Sequence, residues 1–191
     1  MRLPALLMTA VLLGAGLAPA HGTTLLRFSL EDLATNAERA FLGRCTAAET
    51  VLIDEQIYTR IRFQVDEMLK GEAAAHITVD LPGGRYGDRR VHLAGMPAFV
   101  PDEPVVLFLT GPDRLGNPWP VGLGQGKFTV RPLAGQPHVY QHIQGVDWQA
   151  PKGAAKTATP TTAYHGMPLE QFLDQVRTLI DAQPNEAPHA R

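Results

Sequence analysis

Cysteine is nearly absent from this chain of 191 residues, since Cys45 is the only one. No disulfide can therefore form within the chain, and an apolar core must hold the fold together. A free cysteine is among the residue types most often buried. Cys45 alternates with Phe41 and Gly43 on one face of a segment with a strand pattern. We therefore expect Cys45 to be a small buried side chain and not a reactive thiol.

The chain also lacks an excess of charge, with 17 Lys and Arg residues against 19 Asp and Glu residues. Its formal net charge of −2 at pH 7 argues against a nucleic-acid partner, because such proteins present a clear excess of basic residues. The hydrophobic content of 45% excludes a chain that is disordered throughout.

Long apolar runs occur only near the N-terminus. Residues 5–17 are apolar or small, follow the single charge of Arg2, and precede the small-residue triplet Ala18-Pro19-Ala20. This layout is typical of a cleavable signal peptide, which we place at residues 1–20. The run is shorter than the ~20 residues that cross a bilayer. We therefore predict a periplasmic or secreted protein with no membrane span after cleavage.

Alternation of apolar and polar residues is the main signal in the rest of the chain. Residues 57–65 carry Ile, Thr, Ile, Phe and Val on one face and mostly charged or polar residues on the other. This alternation predicts a half-buried antiparallel strand. Strands are predicted at residues 40–53, 57–69, 77–81, 89–93, 105–109, 121–125, 128–131 and 139–143. The pair 121–125 and 128–131 is interpreted as a hairpin about Gly126.

Helical spacing appears twice, at residues 30–39 after a capping-box pattern of Ser29 and Asp32, and at residues 169–180. A helix, consecutive strands and a second helix predict an α+β fold that is mainly antiparallel β. We expect a small OB-like barrel or a strongly curved sheet. The predicted divisions are a signal peptide (1–20), a helix plus β-barrel domain (21–148), a linker (149–166), a C-terminal helix packed on the barrel (167–182) and a polar tail (183–191).

Catalytic and cofactor motifs are absent. The glycine-rich residues 122–126 lack the Lys-Ser/Thr ending of a phosphate loop and precede a strand pattern, so we interpret them as a tight bend. No Gly-x-Ser-x-Gly elbow occurs. The acids Asp66, Glu67, Asp102 and Glu103 are expected to be solvated and not paired for catalysis. We predict no cofactor and favour a non-enzymatic protein.

Arginine and tyrosine are concentrated in one turn, where Arg85, Tyr86, Arg89 and Arg90 lie within six residues. Guanidinium groups bind carboxylates and phosphates through two parallel hydrogen bonds, and tyrosine offers rigid contact area. We predict that these four residues bind another secreted or periplasmic protein. The alternative is a solvated hairpin tip whose charges only maintain solubility.

The seven histidines raise the question of metal binding. Cleavage at the predicted site would make His21 the N-terminus, whose amine and imidazole form a chelating pair suited to copper. This resembles the histidine brace of copper-dependent polysaccharide monooxygenases and some periplasmic copper carriers. A second ligand would come from His76, His92 or His138. On a strand, His138 and His142 would stand ~13 Å apart, too far to share one ion. A copper- or zinc-binding protein is the first alternative function.

Residues 39–44 and 58–71, followed by the turn Pro82-Gly83-Gly84, resemble a pattern of exported bacterial proteins that are mainly uncharacterised. The same strand pair is similar to the start of netrin-like and metalloproteinase-inhibitor barrels, which are OB-type folds. The resemblance covers about residues 38–81 and implies a protease inhibitor or protease-associated protein as the second alternative function. Those inhibitors bind the protease zinc through an N-terminal cysteine, whereas the predicted start here is His21, so no functional residue carries over.

Overall fold

The computed structural model describes residues 24–25, 27–141, 147–148 and 164–183. Its elements in chain order are β1 (Thr24–Leu25), α1 (Leu30–Asn36), β2 (Arg39–Ile53), β3 (Gln56–Lys70), β4 (His76–Pro82), β5 (Gly84–Tyr86), β6 (Arg89–Val91), β7 (Pro104–Leu109), a 3-10 helix (Leu123–Gly126), β8 (Lys127–Leu133), β9 (Gln136–Gln141), β10 (Asp147–Trp148), β11 (Met167–Pro168) and α2 (Leu169–Asp181). The predicted signal peptide, most of the predicted linker and nearly all of the predicted polar tail lie outside these residues.

Seven strands form one sheet in the order β11-β9-β8-β7-β2-β3-β4, and every neighbouring pair is antiparallel. The predicted α+β class with a mainly antiparallel sheet is confirmed. β11 and β4 lie at the two edges and do not pair with each other, so the sheet is open and does not close as a barrel. Three register shifts between β2 and β3 mark bulges, which bend and twist a sheet locally.

The two helices form where the sequence predicts them. Ser29 caps α1, because its side chain accepts a hydrogen bond from the Asp32 amide (3.0 Å) while its own amide donates to the Asp32 carboxylate (2.8 Å). α1 ends at Asn36, earlier than the predicted residue 39, because Arg39 already belongs to β2. Neither helix is long and apolar enough to cross a bilayer, within the part of the chain that the structure describes.

The two faces of the sheet have separate apolar cores. On the helix-covered face, α1 and α2 pack against strand residues such as Val106, Phe108 and Phe128. On the opposite face, here called the cleft face, the buried residues of β2, β3, β4 and β7 pack with one another and with Met96 and Phe99. β7 is buried on both faces, as its uninterrupted apolar sequence requires.

The prediction of a strand at residues 121–125 is wrong. The chain there forms a turn and the 3-10 helix, so β8 pairs with β7 and β9 and not with a preceding hairpin partner. Gly122 has a left-handed backbone (φ +60°), and a Cβ at Gly126 would lie 2.7 Å from the Val121 carbonyl oxygen and 2.9 Å from that of Phe108. The close approach of other backbone at Gly126 explains the glycine there and overrides the local apolar alternation.

Candidate functional site

A cleft of about 810 Å³ opens on the cleft face of the sheet. Its walls are the ends of β3 and β4, the β5–β6 hairpin and the loop of residues 92–103, and its floor includes residues of β8. Each wall contributes side chains for a reason that the local sequence explains.

Two glycines turn the chain from β4 into the β5–β6 hairpin. Gly83 and Gly84 have φ values of +121° and +129°, which residues with side chains rarely adopt. A Cβ at Gly84 would lie 3.1 Å from the Thr59 hydroxyl and 3.2 Å from the Thr50 hydroxyl. The Gly83 amide donates to the Ile57 carbonyl (3.0 Å), and the Thr59 hydroxyl donates to the Gly83 carbonyl (2.9 Å). The hairpin is therefore anchored on the β2–β3 pair.

The β5–β6 hairpin carries the four residues that the sequence predicts as a binding site. Arg85 lies directly opposite Arg90, and Tyr86 lies opposite Arg89. The side chains of Arg85 and Arg90 line the cleft, whereas Tyr86 and Arg89 do not. Arg89 instead donates to the Glu55 carbonyl at 3.4 Å. The structure thus brings only one pair of the predicted residues to the cleft.

The three arginines of the hairpin are exposed. None of them forms an ion pair with a carboxylate among the residues described in the structure. Arg85 makes a local hydrogen bond to the Gly87 carbonyl at 3.2 Å. Within the part of the chain that the structure describes, their charges are therefore exposed to solvent and accessible to an anion.

A charged pair lies at the floor of the cleft. The Lys127 ammonium contacts the Glu103 carboxylate at 2.7 Å, and their side chains are only 11% and 15% exposed. Glu103 also accepts a hydrogen bond from the Thr129 hydroxyl at 3.0 Å. Lys127 donates to the Ala98 carbonyl at 2.6 Å and lies 4.5 Å from the centre of the Phe99 ring. Both ions are thus held in fixed positions by several partners.

Burial sets the electrostatics of this pair. Desolvation lowers the pKa of Lys127, and the Glu103 carboxylate opposes that change by favouring the charged ammonium. The nearby Arg131 guanidinium lowers the pKa of Lys127 further by like-charge repulsion. Arg131 is exposed, lines the cleft and has no ion-pair partner among the described residues.

The predicted site residues do not include this floor. The expectation that Glu103 is solvated is wrong, because its side chain is only 15% exposed and its carboxylate contacts the Lys127 ammonium and accepts a hydrogen bond from the Thr129 hydroxyl. The signal was present in β8, where Lys127, Thr129 and Arg131 alternate with the apolar Phe128 and Val130. Such a strand has one polar face, and the structure shows that this face lines the cleft.

Apolar side chains border the cleft. Val91, Leu93 and Val100 line it and are 43%, 39% and 62% exposed, and Tyr86 on the adjacent strand is 51% exposed. Large apolar residues at a cleft rim, next to arginine and tyrosine, are typical of protein-binding surfaces.

Cys45 is fully buried on the cleft face, as the sequence predicts. Its thiol donates to the Ala47 carbonyl at 3.5 Å, and burial raises its pKa. A buried thiol with a raised pKa is a poor nucleophile, so Cys45 belongs to the core and not to the cleft chemistry.

The predicted metal ligands are not brought together in the described residues, which contain no group of three or more His, Cys, Asp or Glu side chains that could hold an ion. His92 lines the cleft, His76 lies on β4 and His138 on β9. His21 and His142 lie outside the described residues, so the N-terminal copper site stays a prediction.

A second groove, of about 750 Å³, lies between α1 and α2. Its walls combine the apolar Leu30, Tyr164 and Leu179 with uncharged and acidic polar side chains. It lacks the cationic groups that distinguish the cleft.

No protein-family model and no curated protein matches this chain. The function of this chain is therefore inferred from the cleft itself.

Proposed function

We propose that this protein is an exported, non-enzymatic binding protein whose cleft takes an acidic segment of another protein. The observation that carries the proposal is the charge of the cleft lining. Arg85, Arg90, Lys127 and Arg131 line the cleft, and among the described residues the only carboxylate in its lining is that of Glu103. Lys127 and Thr129 already engage that carboxylate. The remaining three guanidinium groups are exposed and available to an external anion.

The pairing of Arg85 with Arg90 supports an anionic ligand. Like charges directly opposite each other on neighbouring strands destabilise a sheet. These two residues nevertheless occupy opposite positions in a hairpin of two three-residue strands, and neither forms an ion pair with a carboxylate among the described residues. An arrangement that costs stability is expected where it serves binding, and two adjacent guanidinium groups fit one or two carboxylates.

The apolar rim favours a polypeptide over a small anion. Val91, Leu93 and Val100 line the cleft beside its charged groups and expose apolar area, and Tyr86 on the adjacent strand exposes more. A peptide segment can place carboxylates against the arginines and apolar side chains against this rim at the same time. Interfaces of this kind gain specificity from charge complementarity and affinity from buried aromatic and apolar contacts.

Peptide selection tests the proposal directly. A random peptide library is displayed against the immobilised protein and against the variant Arg85→Ala/Arg90→Ala/Arg131→Ala. We expect the native protein to enrich peptides in which Asp or Glu alternates with apolar residues. The triple variant should lose that enrichment, and the affinity of a selected peptide should fall as salt rises, because exposed charges are screened.

The matched control changes three arginines of equal charge that neither line the cleft nor contact its loop, Arg62, Arg114 and Arg177, to alanine. This control should select the same acidic peptides as the native protein. Equal selection by the native protein and the cleft variant would contradict the proposal, and so would enrichment of neutral or basic peptides.

The two alternative functions, copper or zinc binding and protease inhibition, do not depend on the cleft arginines, so each can be tested separately from peptide binding. N-terminal sequencing of the exported protein decides whether His21 can form a copper brace. An inhibition assay against secreted metalloproteases tests the inhibitor alternative. Neither outcome depends on the three cleft arginines.

A further inference from the structure

The edge strand β4 offers a row of backbone groups to a further strand. The Gly83 amide donates to the Ile57 carbonyl at 3.0 Å, and the Val65 amide donates to the Ala75 carbonyl at 2.9 Å. In an antiparallel pair the hydrogen-bonded positions alternate. Between these two ends, therefore, the odd-numbered residues of β4 direct their amides and carbonyls towards β3.

The even-numbered residues His76, Thr78 and Asp80 consequently direct their amide and carbonyl groups away from β3. Among the residues that the structure describes, no backbone hydrogen bond joins these three residues to a group outside the β3–β4 pair, so their outward amides and carbonyls have no partner there. His76 and Thr78 are also exposed. Such an edge is a template for another strand unless it is protected.

We propose that a second copy of this chain occupies the edge, with the two β4 strands antiparallel about a two-fold axis at Thr78. In this register Thr78 faces Thr78 of the partner copy. His76 of each copy faces Asp80 of the other, so the imidazole N–H can donate a hydrogen bond to the carboxylate on one face of the joined sheet. On the other face Ile77 meets Val79, and apolar side chains continue the core of the cleft face.

The alternative symmetric registers are less favourable. A two-fold axis at Asp80 places two carboxylates opposite each other and brings Pro82, which has no amide hydrogen, into the ladder. An axis at His76 places two imidazoles opposite each other. In the registers with an axis at Ile77 or Val79, His76 of one copy does not lie opposite Asp80 of the other. The register at Thr78 pairs every outward amide of these three residues and places each His76 imidazole beside an Asp80 carboxylate.

Asp80 is already positioned for this pairing. Its two carboxylate oxygens accept hydrogen bonds from the Arg60 guanidinium, both at 2.8 Å. The side chain therefore has a fixed orientation on the strand, and an incoming imidazole would extend the row from Arg60 through Asp80.

Because a single seven-residue strand buries little area, the dimer should be weak and should form as the protein concentration rises.

Sedimentation equilibrium up to about 1 mM protein, combined with hydrogen exchange, tests the dimer. Thr78→Pro removes a donor that points away from β3, a position at which an edge strand tolerates proline. This variant should weaken the dimer about tenfold or more, whereas the control Thr78→Ala keeps the donor and the dimer. The amides of Thr78 and Asp80 should exchange more slowly as concentration rises.

A charge variant keeps the test decisive if the proline variant does not fold. His76→Glu places a carboxylate opposite Asp80 and should also weaken the dimer, whereas His76→Lys should preserve it. A native protein that remains monomeric at about 1 mM would overturn the proposal. A dimer that both Thr78→Pro and His76→Glu leave unchanged would overturn it too, as would protection of the β4 amides by a foreign protein on a monomer.

Discussion

The two faces of the sheet differ in how they are covered. On the helix-covered face, α1 and α2 exclude water from an aromatic cluster in which the Phe128 ring lies 4.6 Å from that of Phe172 and 6.0 Å from that of Tyr164. On the cleft face, a loop and a short hairpin cover the sheet only in part, and a cleft of about 810 Å³ remains. The packing on the helix-covered face contributes to the stability of the fold. The cleft face retains exposed arginine side chains that the stability of the fold does not require.

This difference explains where polar groups are tolerated. Partial cover lets the arginines of the cleft remain in water, while the Lys127–Glu103 pair below them is nearly enclosed. An enclosed pair contributes little net stability, because desolvation offsets its attraction. Changes on the helix-covered face should therefore alter stability more than changes in the cleft.

The largest effect is expected from Phe172→Ala. Phe172 is fully buried between α2 and the sheet, and the change leaves a cavity that the rigid sheet cannot fill. We expect a loss of about 4 kcal/mol in the free energy of unfolding, measured by urea denaturation. Leu133→Ala is the control, because Leu133 is 49% exposed and its loss should change stability by less than about 0.5 kcal/mol. Similar losses for both variants would remove the contrast between core and surface.

A smaller loss, about 3 kcal/mol near neutral pH, is expected from Glu103→Gln, because Lys127 then keeps a nearly enclosed charge without its partner. The pKa of Lys127 is already lowered by burial and should fall further in the variant. When the pKa of a lysine is lower in the folded than in the unfolded state, the free energy of unfolding of the protein increases as pH rises between those two values.

The stability difference between the native protein and Glu103→Gln should therefore shrink as pH rises towards the ordinary lysine pKa of 10.5. Urea denaturation at a series of pH values measures it. A constant difference across that range would show that the Lys127 charge is not what destabilises the variant.

The smallest of the three effects is expected from Gly84→Ala, at about 2 kcal/mol, because φ at Gly84 is unfavourable for alanine and two threonine hydroxyls crowd the new methyl group. The hairpin should shift, and the affinity of a selected acidic peptide should fall with it. Gly87→Ala is the control, because Gly87 also has a positive φ (+58°) but a Cβ there meets nothing within 4 Å, so the variant strains the hairpin turn without crowding the threonines. If Gly87→Ala weakens peptide binding as much as Gly84→Ala does, the anchoring of the hairpin is not what positions the arginines.

Local patterns account for much of the fold. Capping by Ser29, the apolar stripe of α2 and the strict alternation along β3 each depend on neighbours within a few residues. The sequence therefore predicts these elements with bounds close to those observed. It fails at residues 121–125, because the close approach of the Phe108 carbonyl to Gly126 comes from a distant strand.

The candidate site was predicted only in part, for the same physical reason. The cluster of Arg85 and Arg90 is contiguous in the sequence, so its charge and its hairpin were visible there. Glu103 and Lys127 are 24 residues apart, and only the pairing of β7 with β8 brings their segments together.

What the sequence by itself determined is most of the secondary structure, the mainly antiparallel class and the existence of a basic turn, because these depend on short-range spacing. What only the tertiary structure decided is that the sheet stays open, that a cleft forms beneath the turn, and that a carboxylate expected in water lies buried against a lysine. Contacts between distant segments decide these features, since burial and charge pairing depend on which residues meet in space.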